Sequence, residues 1–134
     1  MLAPGGAITA IEVDYSTVRA EPSTPALEAL FGTVVRSMAS AGWSDAGTHL
    51  PGWLREAGFR DVDDGERRFW WQDEQLAVEA NYAADVMESA LDSLLQVPGA
   101  GEAQLRDGLA DPRSLDRKPG AAVGWIVHKS TGLR

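Results

Sequence analysis

The chain begins with a turn that runs directly into a strand, and the character of that strand narrows the choice of fold. Pro4-Gly5-Gly6 supplies the tight turn. The segment from Ala7 to Tyr15 then reads as a nearly unbroken apolar run enriched in β-branched residues, with Ile8, Ile11 and Val13 at its centre. A strand that is apolar throughout, rather than alternating, needs cover on both faces, as in the parallel sheet of an α/β protein.

Pro22-Ser23-Thr24-Pro25 breaks the strand off. Thr24 suits an N-cap and Pro25 the first helical position, where a missing N–H costs nothing. Leu27, Leu30, Phe31, Val34, Val35 and Met38 follow at helical spacing until Gly42 stops them. A second helix is predicted over 48–57, with Leu50, Trp53, Leu54 and Ala57 on one face. Gly58 ends it, and Phe59 folds back on its last turn. Residues 60–71 read as a strand that is strongest at Arg68-Phe69-Trp70-Trp71. Asp63-Asp64-Gly65 is either part of it or a turn that splits it. A long helix is predicted over 73–96 from the stripe Leu76, Ala80, Ala83, Met87, Ala90, Leu91, Leu94 and Leu95. Pro98-Gly99 closes it. A short helix through Leu105 and Leu109, a proline-containing loop over 111–120 and a last strand over 121–129 complete the chain.

With 134 residues the chain makes one domain at most. Its hydrophobic share of 44% and charged share of 24% suit a packed globule rather than a disordered chain. The net charge of −8 argues against nucleic acid as a partner, since a phosphate backbone is bound by surplus Lys and Arg. Arg113, Arg117 and Lys118 are too few to reverse that and read as a solvated loop. The absence of cysteine excludes disulfides, thiolate metal sites and a cysteine nucleophile, and fits a reducing compartment. No apolar run approaches the roughly 18 residues of a membrane span, and no signal-peptide pattern opens the chain. The expectation is a soluble cytoplasmic protein with neither a membrane nor a metal among its partners.

Three separated pieces carry a family resemblance. They are Pro4-Gly5-Gly6 leading into the strand that ends Glu12-Val13-Asp14, then Leu50 to Val62 (LPGWLREAGFRDV), and Trp125-Ile126-Val127-His128-Lys129 near the end. In this order and spacing they resemble the fifth strand, the helix-to-sixth-strand junction and the seventh strand of a class I S-adenosylmethionine-dependent methyltransferase of the small-molecule type. The resemblance covers roughly residues 1–72 and 121–130. It implies a partial Rossmann-like α/β fold of about three strands with flanking helices, the last strand antiparallel and inserted between the other two. Residues 73–120 would be a helical insertion. It also implies transfer of a methyl group from a sulfonium to a small molecule, with the protein supplying mainly orientation and proximity.

The family holds its cofactor on a Gly-rich loop after its first strand and on an acidic residue after its second. No G-x-G-x-G loop follows a strand here, and Gly99-Ala100-Gly101 follows a helix and a proline, so it reads as a turn. No cofactor-binding residue is carried over. The expectation is the carboxyl half of such an enzyme, without its cofactor half, inactive alone and not binding S-adenosylmethionine by itself. The strand from Ala7 to Tyr15 would then have an open apolar edge. A second copy in a homodimer, or a complementing chain, is expected to cover it. The alternative reading is a non-catalytic module for small-ligand binding or dimerisation.

No catalytic residue is assigned. Glu12, Asp14 and Tyr15 are candidate substrate-binding residues, because the carboxyl ends of strands face the ligand crevice in open α/β sheets. Glu12 or Asp14 could act there as a base. A solvated strand end is the competing reading. Trp43, between two helices, is a candidate lid over the pocket or a loop anchor in the core. Trp70 and Trp71 should face opposite ways, so one of them points outward; they read as core packing and helix contact, with a substrate or dimer surface as the competing reading. His49 and His128 have no acidic partner at a diagnostic spacing and no metal-ligand spacing. Ser16, Ser44 and Ser130 lack a nucleophile-elbow context, which disfavours a hydrolase.

Overall fold

A computed structural model describes residues 5–42 and 44–134, with Asp73 described by its backbone alone. The elements in chain order are β1 (Ala7–Glu21), α1 (Pro25–Ala41), α2 (Ala46–Glu56), β2 (Arg60–Trp71), α3 (Leu76–Ser89), α4 (Leu91–Leu94), α5 (Glu102–Ala110) and β3 (Ala122–Leu133). Short 3-10 turns at Asp73–Gln75 and Pro112–Arg117 complete them. The three strands form one open sheet in the order β1-β3-β2, with β3 antiparallel to both neighbours. β1 and β2 therefore run parallel to each other with the reversed β3 between them. This is the α/β arrangement and strand order expected of the chain.

Helix boundaries follow from local chemistry. Thr24 caps α1 by accepting a hydrogen bond from the Leu27 N–H at 3.1 Å, and Pro25 takes the first helical position. The same hydroxyl donates to the Asp111 carboxylate, tying the start of α1 to the end of α5. At the end of α2, Gly58 adopts φ +85°. Its N–H bonds to the Arg55 carbonyl and the Phe59 N–H to the Leu54 carbonyl, both at 3.0 Å. That paired return to the last turn is a Schellman motif, and it turns Phe59 back onto the fold. A Cβ on Gly132 of β3 would lie 2.9 Å from the Phe59 Cβ.

Four sequence expectations need correction. First, β1 runs on to Glu21 instead of ending at Tyr15. Asp14 pairs with Ile126 and Arg19 with Gly124, so β1 bulges between them. The Thr17 hydroxyl takes over a ladder position by accepting the Ile126 N–H at 2.9 Å while donating to the Asp14 carbonyl at 2.6 Å.

Second, β1 is not covered on both faces. It is an edge strand, only Asp14 and Ala20 in it are buried, and Ile11 is 64% exposed. Helices cover opposite faces of the sheet at opposite ends. The face carrying Ala20, Val123 and Trp71 packs on α1, α3, α4 and α5 in a core built around Leu27, Leu30, Leu94 and Leu105. The other face takes α2, whose Gly47 comes so close to His128 that a Cβ would lie 2.7 Å from the ring.

Third, the single helix over 73–96 is broken. It becomes a 3-10 turn, α3 and the short α4, with Ala90 at φ −95°, ψ 3° between the two helices. The Ala90 N–H bonds to the Met87 carbonyl at 3.2 Å, tightening the last turn. The break lets Leu91 and Leu94 both reach the core. Fourth, residues 112–117 are a 3-10 turn with Leu115 buried, and Arg113 is not merely solvated. It bridges to Asp85 (2.7 Å) and Glu88 (2.5 Å) on α3. Asp63-Asp64-Gly65 lies within a continuous β2, whose irregularity comes earlier, at Asp61 with φ +48°. Among the described residues, no helix is long and apolar enough to cross a membrane.

Candidate functional site

Where the helical layer stops short of covering β1, it leaves a groove of about 300 Å3. Val13, Tyr15 and Val18 of β1 form one wall, Val34 and Met38 of α1 a second, and Tyr82 and Val86 of α3 a third, with Trp125 at the base. Val13 and Tyr15 share a face because strand residues two apart point the same way. The lining is almost wholly apolar, and its polar side-chain groups are carried by Tyr15, Tyr82, Ser37 and Trp125. A site of this size and character suits a small, largely apolar molecule oriented by one or two hydrogen bonds.

Tyr15 is half-buried. Burial raises the pKa of its phenol above the usual tyrosine value, and the nearby Glu12 carboxylate and the Tyr82 phenol push in the same direction. The hydroxyl therefore stays protonated well above neutral pH and is available as a donor. Its backbone N–H bonds to the Ser44 carbonyl at 3.2 Å, fixing the chain after α1 against β1.

The other sequence candidates lie elsewhere. Glu12 stands opposite His128, on the sheet face away from the groove, and its carboxylate accepts the Val13 N–H at 2.9 Å. Asp14 is buried opposite Ile126, and one of its oxygens accepts both the Ser16 N–H (3.0 Å) and the Ser16 hydroxyl (2.6 Å). Both carboxylates serve the backbone of β1. Trp43 lies outside the described residues. Of the four, the groove includes Tyr15.

His49 does have an acidic partner. Asp45, the residue just before α2 and one turn away, approaches it at 3.5 Å, and the His49 ring stacks on Trp53 with centroids 5.6 Å apart. Trp71 packs between Phe69 and Trp125, at centroid distances of 5.3 and 4.4 Å, while Trp70 faces outward on the other side. No group of three or more His, Asp or Glu among the described residues is placed to hold a metal ion. No carboxylate or imidazole lines the groove among those residues.

The sequence reading missed the α3 wall. Val78, Tyr82 and Val86 recur every four residues and form a second apolar stripe, exposed on the side away from the core stripe. The spacing was legible, but interleaved Glu79, Asp85 and Glu88 made that side read as wholly solvated. No protein-family model matches this chain, and no curated protein is significantly similar to it in sequence.

Proposed function

We propose that this chain is the substrate-side part of a methyltransferase-like domain and that its groove holds a small, largely apolar methyl acceptor. The observation that carries the reading is the sheet itself: two parallel strands with a reversed strand inserted between them, beside an apolar groove against the first. The resemblance of Pro4-Gly5-Gly6, the Leu50–Val62 segment and Trp125–Lys129 to that family supports it further.

In this reading S-adenosylmethionine supplies the methyl group, but these residues do not fit its site. They contain no Gly-rich loop after a strand and no acid placed for a ribose. The chain's own contribution is to exclude water and orient the acceptor. The Tyr15 hydroxyl serves as donor to a polar end, and Val34, Met38 and Val86 grip the body.

The alternative is a ligand-binding module without catalysis, favoured by a groove that no carboxylate or imidazole lines among the described residues. Titration with 2-naphthol, followed by tryptophan fluorescence, should saturate in the native chain and weaken in Val86→Glu. Calorimetry should show no S-adenosylmethionine binding by the chain alone. Protein isolated from its native cells and given the methyl-labelled donor should release a labelled small molecule. Saturable naphthol binding without any labelled product would leave the binding module standing and remove the transferase.

We also propose that a second copy covers the outer edge of β1. Gly6 accepts from Arg134 on the β3 side, whereas the N–H groups of Val13 and Tyr15 bond elsewhere, to Glu12 and Ser44. The alternation places the polar groups of Ala7, Thr9 and Ile11 outward as well. Antiparallel pairing about Ile11 would set Glu12 against the second copy's Ala10 and Asp14 against its Ile8. No like charges would meet, and the exposed Ile11 would be buried. Analytical ultracentrifugation should show a dimer that Ile11→Lys dissociates, and a monomeric native chain at high micromolar concentration would refute the pairing.

A further inference from the structure

We infer a second binding site, on the opposite face of the sheet from the groove, that takes the ammonium group of a small aliphatic amine. It is a cavity of about 420 Å3 between the first turns of α2 and the central part of β2 and β3. Gly47, Thr48 and Pro51 form its roof, while Asp64, Glu66, His128 and Ser130 form its floor and side. The inference does not depend on the methyltransferase reading, because neither the elements nor the face are those of the groove.

The observation that points to a ligand is Ser130. This residue is 1% exposed and its hydroxyl has no hydrogen-bond partner among the described residues. A buried hydroxyl without a partner is costly, and native folds keep one where something else satisfies it. Register explains how the pocket is assembled around it. Ser130 lies directly across from Asp64, and His128 directly across from Glu66, so all four share one face. Asp64 and Glu66 are two apart on one strand, which places their carboxylates side by side. Neither carboxylate forms an ion pair among the described residues.

The charge of the occupant follows from magnitudes. The first turn of α2 contributes about half a positive charge to the pocket, against two full negative charges from Asp64 and Glu66. The balance favours a cation. A metal ion is a poor fit, since no group of three or more His, Asp or Glu among the described residues is placed to hold one. An alkylammonium has three N–H donors and no acceptor, and the site has a matching set of acceptors in the Asp64 and Glu66 carboxylates and the Ser130 hydroxyl. Pro51 and the face of the His128 ring offer apolar surface to its chain. Gly47 keeps that ring close under α2, since any larger residue would displace it.

Titration of the 15N-labelled full chain with n-butylammonium chloride, against potassium chloride at equal ionic strength, tests the site. Saturable amide shifts at Thr48, Gly65, Glu66 and Ser130 are expected with the amine and not with the potassium salt. Glu66→Gln, at an exposed position that does not endanger folding, should weaken binding about tenfold, and Ser130→Ala by a similar factor, the loss expected for a hydrogen bond to a charged group. Identical shifts with both salts, or an unchanged affinity in Glu66→Gln, would overturn the site. Full affinity in a folded Ser130→Ala variant would likewise overturn it, since the buried hydroxyl would then have no part in it.

Discussion

Replacing Gly108 by alanine should destabilise the protein, although helix propensity alone argues the reverse. Gly108 lies inside α5, where alanine is favoured over glycine by about 1 kcal/mol. In the fold it faces α1. A Cβ there would sit 2.6 Å from the Ala26 carbonyl oxygen and 2.8 Å from the Leu30 Cβ. A carbon rests no closer than about 3.3 Å to a carbonyl oxygen, so the two helices must part by about 0.7 Å. The Ala26 carbonyl is helix backbone and has no rotamer by which to yield. A gap of that size forfeits roughly a quarter to a half of each dispersion contact across it. Leu30 and Leu105, both among the best-buried side chains, lie beside that gap. Overpacking of this kind costs about 1–3 kcal/mol. Against the propensity gain the net loss is about 1 kcal/mol, up to about 2. Gly52 in α2 is the internal control, because among the described residues nothing beyond its own helix turn lies within 4 Å of its Cβ position. There the same substitution should stabilise by about 0.5–1 kcal/mol. Urea unfolding of the native chain and both variants measures the difference. A Gly108→Ala variant as stable as Gly52→Ala would refute the close helix contact.

Other expectations follow from the caps and the groove. Thr24→Ala removes both the Leu27 N–H acceptor and the donor to Asp111, and should cost about 1–2 kcal/mol in the same urea assay. Because the folded-state pKa of Tyr15 is raised, its contribution to stability is fully present below the unfolded tyrosine value of about 10 and is lost as pH rises through the folded pKa. Stability of the native chain should therefore fall across that alkaline window more steeply than that of Tyr15→Phe. Ultraviolet titration of the phenolate should place the Tyr15 ionisation above the usual tyrosine range, and an ionisation at or below it would refute burial of the hydroxyl.

The elements whose limits depend on neighbouring residues were the ones legible beforehand. Thr24, Pro25 and Gly42 bound α1, and Gly58 with Phe59 ends α2, because each acts within about one helical turn of itself. The strand over 121–129 was visible in its apolar and β-branched content, although β3 continues to Leu133, and the strand over 60–71 was visible mainly at its aromatic end, Phe69-Trp70-Trp71. The site was less legible. Glu12 and Asp14 drew attention as acids at a strand end, yet their carboxylates bond to the Val13 and Ser16 N–H groups beside them. Tyr82 and Val86 were hidden by charged neighbours, and no local signal linked them to Tyr15, far away in sequence.

The sequence by itself determined both ends of α1 and the C-terminal end of α2, which segments can be strands, and that disulfides and thiolate sites are absent. These are properties of composition and of contacts a few residues long. Only the tertiary structure decided that β1 runs on through a bulge to Glu21, that α3 and α4 part at Ala90, and that the two sheet faces carry an apolar groove and a polar pocket. Each of those depends on which distant residue stands opposite: Val13 against Val127, Ser130 against Asp64, Gly108 against Ala26. Strand pairing and helix packing set those juxtapositions through side-chain parity and close approach, and a one-residue change of register would exchange the contents of the two faces.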